Sequence, residues 1–380
     1  MSLTGANISG HKSGKLLGFL AVTWVCLMGV APQAYAEGDT VARLQAVLEE
    51  FQAANPGAPG IVVHVECPSR NLRWTRAVGQ AGPGDHRPLT PDHTFRIASN
   101  TKTYVAAAIL RLCEMGKMSL SDPLGNHLAP DQRALLAGDG YDLEAMTIGQ
   151  VLSHTSGLFE HPADPRYEEA ILADPHHRWT RSEQVAMCVE WGDPVGEPGE
   201  VFSYSDTGYV LLGGIIEEMT GLNLGTAVRM LLDYDKLKLK STWWETLESP
   251  PPGAAPRAHQ YYGNDDTFDW DPSLDLYGGG GLISDAADLG RFMRQLIQGR
   301  VLETQGDLAD MTGQGTTDYR LGLVVTDFGD FLGWGHTGFW NTFAYFVPEL
   351  DLTVTGSILN HHAEKGRELA RRLIEAVNGN

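Results

Sequence analysis

Apolar and polar positions alternate along this chain in blocks that change period. Between Thr40 and Phe51 the apolar residues Val41, Leu44, Leu48 and Phe51 recur at helical spacing, which predicts an amphipathic helix. Asn55-Pro-Gly-Ala-Pro-Gly breaks it. Ile61 to Glu66 and Leu72 to Val78 then read as two strands of a hairpin joined by Cys67-Pro-Ser-Arg-Asn. An Ala-rich run predicts a helix from about Asn100 to Met115, closed by Gly116. Helical pieces and loops follow to about residue 275, with Pro-rich punctuation from Pro250 to Pro256. Strands return at Leu321 to Thr326, Thr342 to Val347 and Leu352 to Ile358. A last helix carries Leu369, Leu373 and Val377 on one stripe beside Ile374.

Strands at both ends and helices between them predict an α+β fold. Its economical form is one antiparallel sheet built from both termini and flanked by helices, with a helical subdomain inserted. Residues 37–125 and 275–380 would form the α/β part and 126–274 the mostly helical part, with a substrate cleft between them. No internal repeat or low-complexity tract interrupts this plan.

The first 36 residues follow a different logic. His11, Lys12 and Lys15 precede an uncharged apolar stretch from Leu16 to Ala31, and Ala34-x-Ala36 supplies a small-x-small cleavage pattern. This predicts an export signal over residues 1–36, a mature chain starting at Glu37, and a secreted or periplasmic protein. The stretch is short for a membrane span, and no second long apolar run follows. Losing Lys12 and Lys15 takes the formal charge from −20 to about −22. Such acidity argues against nucleic acid and anionic membranes as partners. Cys67, Cys113 and Cys188 remain, an odd and widely spaced set that suggests neither a disulfide framework nor a zinc site. Three buried thiols or a single bridge both fit.

Ser99-Asn100-Thr101-Lys102 opens the Ala-rich helix. Residues three apart share a helical face, so Lys102 would rise one turn above Ser99. An amine beside a hydroxyl in a partly desolvated site can accept or relay its proton. The helix start adds N–H groups that favour a developing oxyanion. Two further elements follow in order: Tyr204-Ser205-Asp206, and His336-Thr337-Gly338 before Phe339-Trp340. His176-His177 and His361-His362 invite a metal reading, but no HExxH or Cys/His spacing accompanies them, and surface loops are the expectation. His154 is expected to hydrogen-bond backbone in a turn. Trp243-Trp244 fits either core or cleft wall.

The three elements resemble the S-x-x-K, Y-x-N and K/H-T-G triplet of penicillin-recognising, β-lactamase-related serine hydrolases, the class C β-lactamase, D,D-peptidase and esterase branch. Val151-Leu-Ser-His-Thr-Ser-Gly-Leu158 and Gly280-Gly-Leu-Ile-Ser-Asp-Ala-Ala-Asp-Leu289 resemble further segments of that family, and the likeness runs through residues 40–378. It implies a β-lactamase/transpeptidase-like fold and a Ser99 acyl-enzyme that cleaves an amide or ester of a small-molecule or peptide substrate. Lys102 or Tyr204 would be the base, a Tyr of depressed pKa beside a lysine cation being able to act as phenolate. The Ser99 and Phe339 N–H groups would form the oxyanion hole. Asp206, His336, Thr337 and Gly338 would contact substrate, with His336 and Thr337 on an edge strand. The mechanism calls for no metal or cofactor.

Three positions depart from the triplet. Asp206 stands where Asn is usual; it can only accept hydrogen bonds when ionised, and it should hold Lys102 protonated. His336 replaces the usual Lys cation. Val324 stands where the related D,D-carboxypeptidases place a carboxylate-reading Arg. Arg320 shares the predicted strand face but lies about 13 Å away at normal strand rise. All three weaken provision for a substrate carboxylate. They favour a peptidase or esterase, with a neutral or cationic leaving side, over a true β-lactamase or a slow penicillin-binding sensor.

Overall fold

The computed structural model describes residues 37–83, 87–316 and 318–379, so the export segment predicted over residues 1–36 lies outside the described residues. Six strands form the main sheet: β1 (Gly60–Cys67), β2 (Leu72–Gly79), β3 (Val324–Asp327), β4 (Leu332–Gly338), β5 (Thr342–Val347) and β6 (Leu352–Ile358). Their order is β2-β1-β6-β5-β4-β3 and every pairing is antiparallel, so the two chain ends meet at β1 and β6 with Val63 opposite Gly356. This is the mixed α/β architecture expected from the strand-helix-strand pattern.

The central strands β1, β5 and β6 are buried on both faces, which explains their near-continuous apolar runs. Ile61, Val63, Val65, Phe343 and Tyr345 point to one side. There they pack against Leu44, Leu48 and Phe51 of helix α1 (Glu37–Ala54), and against Leu369 and Leu373 of the C-terminal helix Gly366–Asn378. Val62, Ala344 and Phe346 point to the other side, with Leu289, Phe292 and Met293 of the helix Ala286–Ile297. Period-two alternation thus divides the strands between two cores.

The second core continues into the helix α2 (Thr101–Glu114), whose residues Thr101 to Leu110 are all buried. A 3-10 turn at Ala98–Asn100 precedes it, so the predicted helix start at Asn100 moves by one residue. Around α2 lie helix α3 (Asp206–Thr220) and the other helical pieces of the middle stretch. A small sheet also crosses this region, pairing Trp243–Trp244 and Phe95–Arg96 with Leu282–Ser284. Trp244 is core, its indole N–H donating to the Leu276 carbonyl at 2.7 Å.

Two strand expectations are corrected. Residues 320–323 form a tight turn instead of the first half of a strand: Arg320 N–H donates to the Leu323 carbonyl, and Gly322 has φ of 68°. Arg320 consequently leaves the predicted strand face and donates to the Thr312 and Thr316 carbonyls. His336 and Thr337 also lie one strand in from the edge, since β3 is outermost. Because β3 pairs with β4 only as far as Val324 opposite Gly335, His336 to Gly338 have no strand partner on that side among the described residues.

Cys67, Cys113 and Cys188 are free thiols. Burial pushes the Cys113 thiol up to about 12 and Cys188 up to about 11, where little reactive thiolate forms. A chain lacking residues 1–36 should therefore resist iodoacetamide at pH 8 while folded. After denaturation without reductant it should take three labels by mass spectrometry, and a mass lower by two protons with only one label would contradict this.

Candidate active site

The 3-10 turn and α2 bring Lys102 Nζ to 2.9 Å from Ser99 Oγ. Lys102 is fully buried, and its ammonium also donates to the Gly279 carbonyl at 2.7 Å and forms an ion pair with Asp206. Burial works against this charge, but Asp206, then Tyr204 and Asp275, outweigh it and hold the ammonium above its ordinary range. Asp206 acts on Lys102 as its place in the sequence implied.

Tyr204 is placed by the turn at His154, whose φ is 57°. The His154 carbonyl accepts Ser203 N–H at 2.8 Å and its ring Nδ1 accepts Ser205 N–H at 3.0 Å, so the residues on both sides of Tyr204 are held by one histidine. The two rings lie 4.2 Å apart. This matches the backbone-bonding role expected for His154. Ser205 then caps α3, accepting Gly208 N–H, and Asp206 occupies the first turn where the helix dipole favours a carboxylate. The Tyr204 hydroxyl is in hydrogen-bond reach of Ser99 and Lys102. Its acidity departs from expectation: burial raises the phenol, the Lys102 cation lowers it, Asp206 raises it again, and the balance lies above the ordinary tyrosine value.

His336 is neutral. Burial, with the Lys102 charge, pushes it down to about 4. Its Nδ1 contacts the Thr337 carbonyl at 2.6 Å and so carries the proton, which leaves Nε2 to accept from the Tyr319 hydroxyl at 3.2 Å. Thr337 and Gly338 continue along β4 to the exposed Phe339. No described residue accepts a hydrogen bond from the N–H of Ser99 or Phe339.

These groups open into one cavity of about 700 Å³ lined by Ser99, Tyr204, Asp206, Val324, His336, Thr337, Gly338 and Phe339. Sequence reasoning missed several of its other walls. Glu160 accepts the Asp206 N–H, and Asp275 also faces the cavity. Burial, followed by the Asp206 charge, raises both acids above the ordinary carboxylate range. Three carboxyl groups thus lie around one buried ammonium, and the buried Arg96 is committed to Glu245 at 2.7 Å. Glu160 is a single loop residue and Asp275 ends the short 3-10 helix Pro272–Asp275, and neither has periodicity or a motif to flag it.

Tyr262, Trp270, Phe339 and Trp340 make an aromatic wall, and the exposed Lys365 and Arg367 stand at the rim. His361 is more than a loop residue: its ring stacks on Phe339 at 4.2 Å and contacts the Phe339 carbonyl.

A buried lysine bonded to a serine and lying 5.0 Å from a tyrosine ring, on this sheet and helix arrangement, fits a serine-hydrolase class of site. The chain belongs to the beta-lactamase family, whose model matches residues 44–378. Among solved structures it is similar to a D-stereospecific amidohydrolase from a Streptomyces species, at 29% identity and a TM-score of 0.74 over 88% of this chain and 97% of that one. It shares the fold of a D-amino acid amidase from Ochrobactrum anthropi, at 24% identity and a TM-score of 0.75 over 90% and 99% of the two chains. Among curated relatives, Protein flp of Staphylococcus aureus is 34% identical over 131 residues, which is 34% of this chain and 24% of that protein. Penicillin-binding protein 4* of Bacillus subtilis is 30% identical over 162 residues, 42% of this chain and 32% of that protein. The chain therefore aligns with only about a quarter to a third of those two relatives' lengths. Among the described residues no helix is long and apolar enough to cross a membrane.

Gly338 illustrates how close the packing is. A methyl group there would collide with the Ile97 carbonyl and the Thr342 hydroxyl. Gly338→Ala should displace the Ser99 turn and lower kcat/KM for a p-nitrophenyl ester by about 100-fold or more. Full activity in that variant would show that the turn tolerates the shift.

Proposed function

We propose that this protein is an exported serine hydrolase that cleaves amides or esters through a Ser99 acyl-enzyme, on substrates that carry a free ammonium group. The observation that carries the substrate class is the cluster of Glu160, Asp206 and Asp275, which line the same cavity as Ser99 and lie beside the buried cation Lys102, while the lining cations Lys365 and Arg367 stand at its rim. Adding a cation there relieves like-charge repulsion among buried carboxyl groups. The aromatic wall would take an apolar side chain.

In this reading Tyr204 is the base. The Lys102 ammonium already donates to Ser99, Gly279 and Asp206, so it acts as a fixed cation that favours the Tyr204 phenolate. The Ser99 proton passes to the phenolate form of Tyr204, a minority form because burial and Asp206 raise the phenol, as Oγ bonds to the substrate carbonyl. The oxyanion is held by the Ser99 and Phe339 N–H groups. The tetrahedral intermediate collapses as the amine or alcohol leaves with the proton from Tyr204. Water then repeats the sequence on the acyl-enzyme, with Tyr204 taking its proton and returning it to Ser99. Thr337 and Gly338, on the unpaired side of β4, align the substrate chain.

D-amino acid amides head the test panel, because the Streptomyces relative at 29% identity is a D-stereospecific amidohydrolase. D-phenylalanine amide, its L enantiomer, the N-acetylated D form, a D-Ala-D-Ala peptide, p-nitrophenyl esters and nitrocefin should be compared. N-acetylation should lower kcat/KM by about 100-fold, and Ser99→Ala should abolish turnover. Equal turnover of the free and acetylated amines would overturn the ammonium reading. Lys365 and Arg367 at the rim support a second reading, a penicillin-binding or D,D-carboxypeptidase site for a substrate carboxylate; nitrocefin turnover rivalling the amides would favour it.

The Asp206 carboxylate raises the Tyr204 phenol, so removing it moves Tyr204 down. Asp206→Asn should therefore shift the acidic limb of the kcat–pH profile to lower pH by about one unit. An unmoved limb would take the base role away from Tyr204.

A further inference from the structure

Asn100, the second residue of the Ser-x-x-Lys tetrad, sits at the N-cap of α2 yet makes no capping hydrogen bond. Asparagine is favoured there because its side chain can accept from the first helical N–H groups. Here the side chain is fully buried and turned the other way. Its Nδ2 donates to the Ile97 carbonyl at 3.0 Å and to Thr342 Oγ1 at 3.0 Å, while Thr342 Oγ1 donates to the same carbonyl at 2.9 Å. Its Oδ1 is buried with no partner, a cost the chain carries although a small apolar residue would avoid it.

The triangle ties together the two segments that hold the free N–H groups. Ile97 and Asn100 flank Ala98 and Ser99. Ala98 has φ of 47°, in the left-handed region that disfavours a residue with a Cβ. Thr342 begins β5, across the turn from Gly338 at the end of β4, and that turn carries Phe339. Without the Asn100 and Thr342 bonds, the Ala98 turn would relax toward ordinary φ and carry the Ser99 N–H away from Phe339.

We propose that Asn100, acting with Thr342, is a positioning residue that sets the separation of the Ser99 and Phe339 N–H groups and so the strength of oxyanion binding. This rests on the Ser99 acyl-enzyme reading above. Asn100 touches no reacting atom, so its loss should act on kcat and leave KM nearly unchanged.

The test compares Asn100→Ala, Thr342→Val and Thr342→Ser, using a p-nitrophenyl ester and a phenylboronic acid that forms a tetrahedral adduct on serine. Asn100→Ala and Thr342→Val should each lower kcat about 10- to 100-fold, with KM within about threefold and boronate affinity falling in parallel with kcat. The pair should be no worse than the poorer single variant, because both break one network. Thr342→Ser keeps the hydroxyl and should retain activity. Should Asn100→Ala fail to fold, Thr342→Val against Thr342→Ser carries the same comparison. Unchanged kcat and boronate affinity, or a fall in melting temperature alone, would overturn the positioning role. Failure of the underlying reading would look different: Ser99→Ala would remain active and the native protein would not label with a fluorophosphonate.

Discussion

A single buried ammonium organises this site. Lys102 has no solvent around it, so its charge persists only because Ser99, the Gly279 carbonyl and Asp206 surround it. Those partners come from three separate segments: the 3-10 turn before α2, the glycine-rich loop before the small sheet, and the first turn of α3. An unpaired charge at such depth would cost several kcal/mol. The fold must therefore bring all three segments into register whenever α2 is packed. The same constraint leaves the Ser99 hydroxyl beside a cation and a phenol without further adjustment.

Asp206 sets the electrostatic character of everything nearby. It stabilises the Lys102 charge, opposes ionisation of Tyr204, and raises the acids Glu160 and Asp275 beside it. His336, exposed to burial and to the Lys102 field, stays neutral. The inner cavity is consequently acidic in its formal groups while Lys365 and Arg367 sit at its rim. Glu160, Asp206 and Asp275 together supply that inner charge.

The legibility of the fold followed the physics of burial. Strands β1, β5 and β6 were readable because both of their faces lie in a core, which forces long apolar runs. The start of β3 was misplaced at Leu321 because local composition there is apolar, while Gly322 at positive φ turns the backbone. The position of β4 one strand from the edge was likewise invisible, since pairing partners are set by topology and not by the strand's own residues. The Ser99, Lys102 and Tyr204 constellation was readable from motif order. Glu160, Asp275 and His361 were not, because each lies in a loop or short 3-10 turn without a motif, which only the folded chain carries to the cavity.

The sequence by itself determined the family, the apolar faces that build one sheet from both chain ends, and the residue types that meet around Lys102. Those are properties of local pattern and of short motifs, which persist whatever the rest of the chain does. Only the tertiary structure decided the protonation balance and the outline of the cavity. The Tyr204 phenol, expected to be acidic beside a cation, is raised because burial and Asp206 together exceed the pull of Lys102. Desolvation and charge summed over several segments are collective quantities, and they exist only once Ser99, Glu160, Asp206, Asp275 and His336 share one enclosed space.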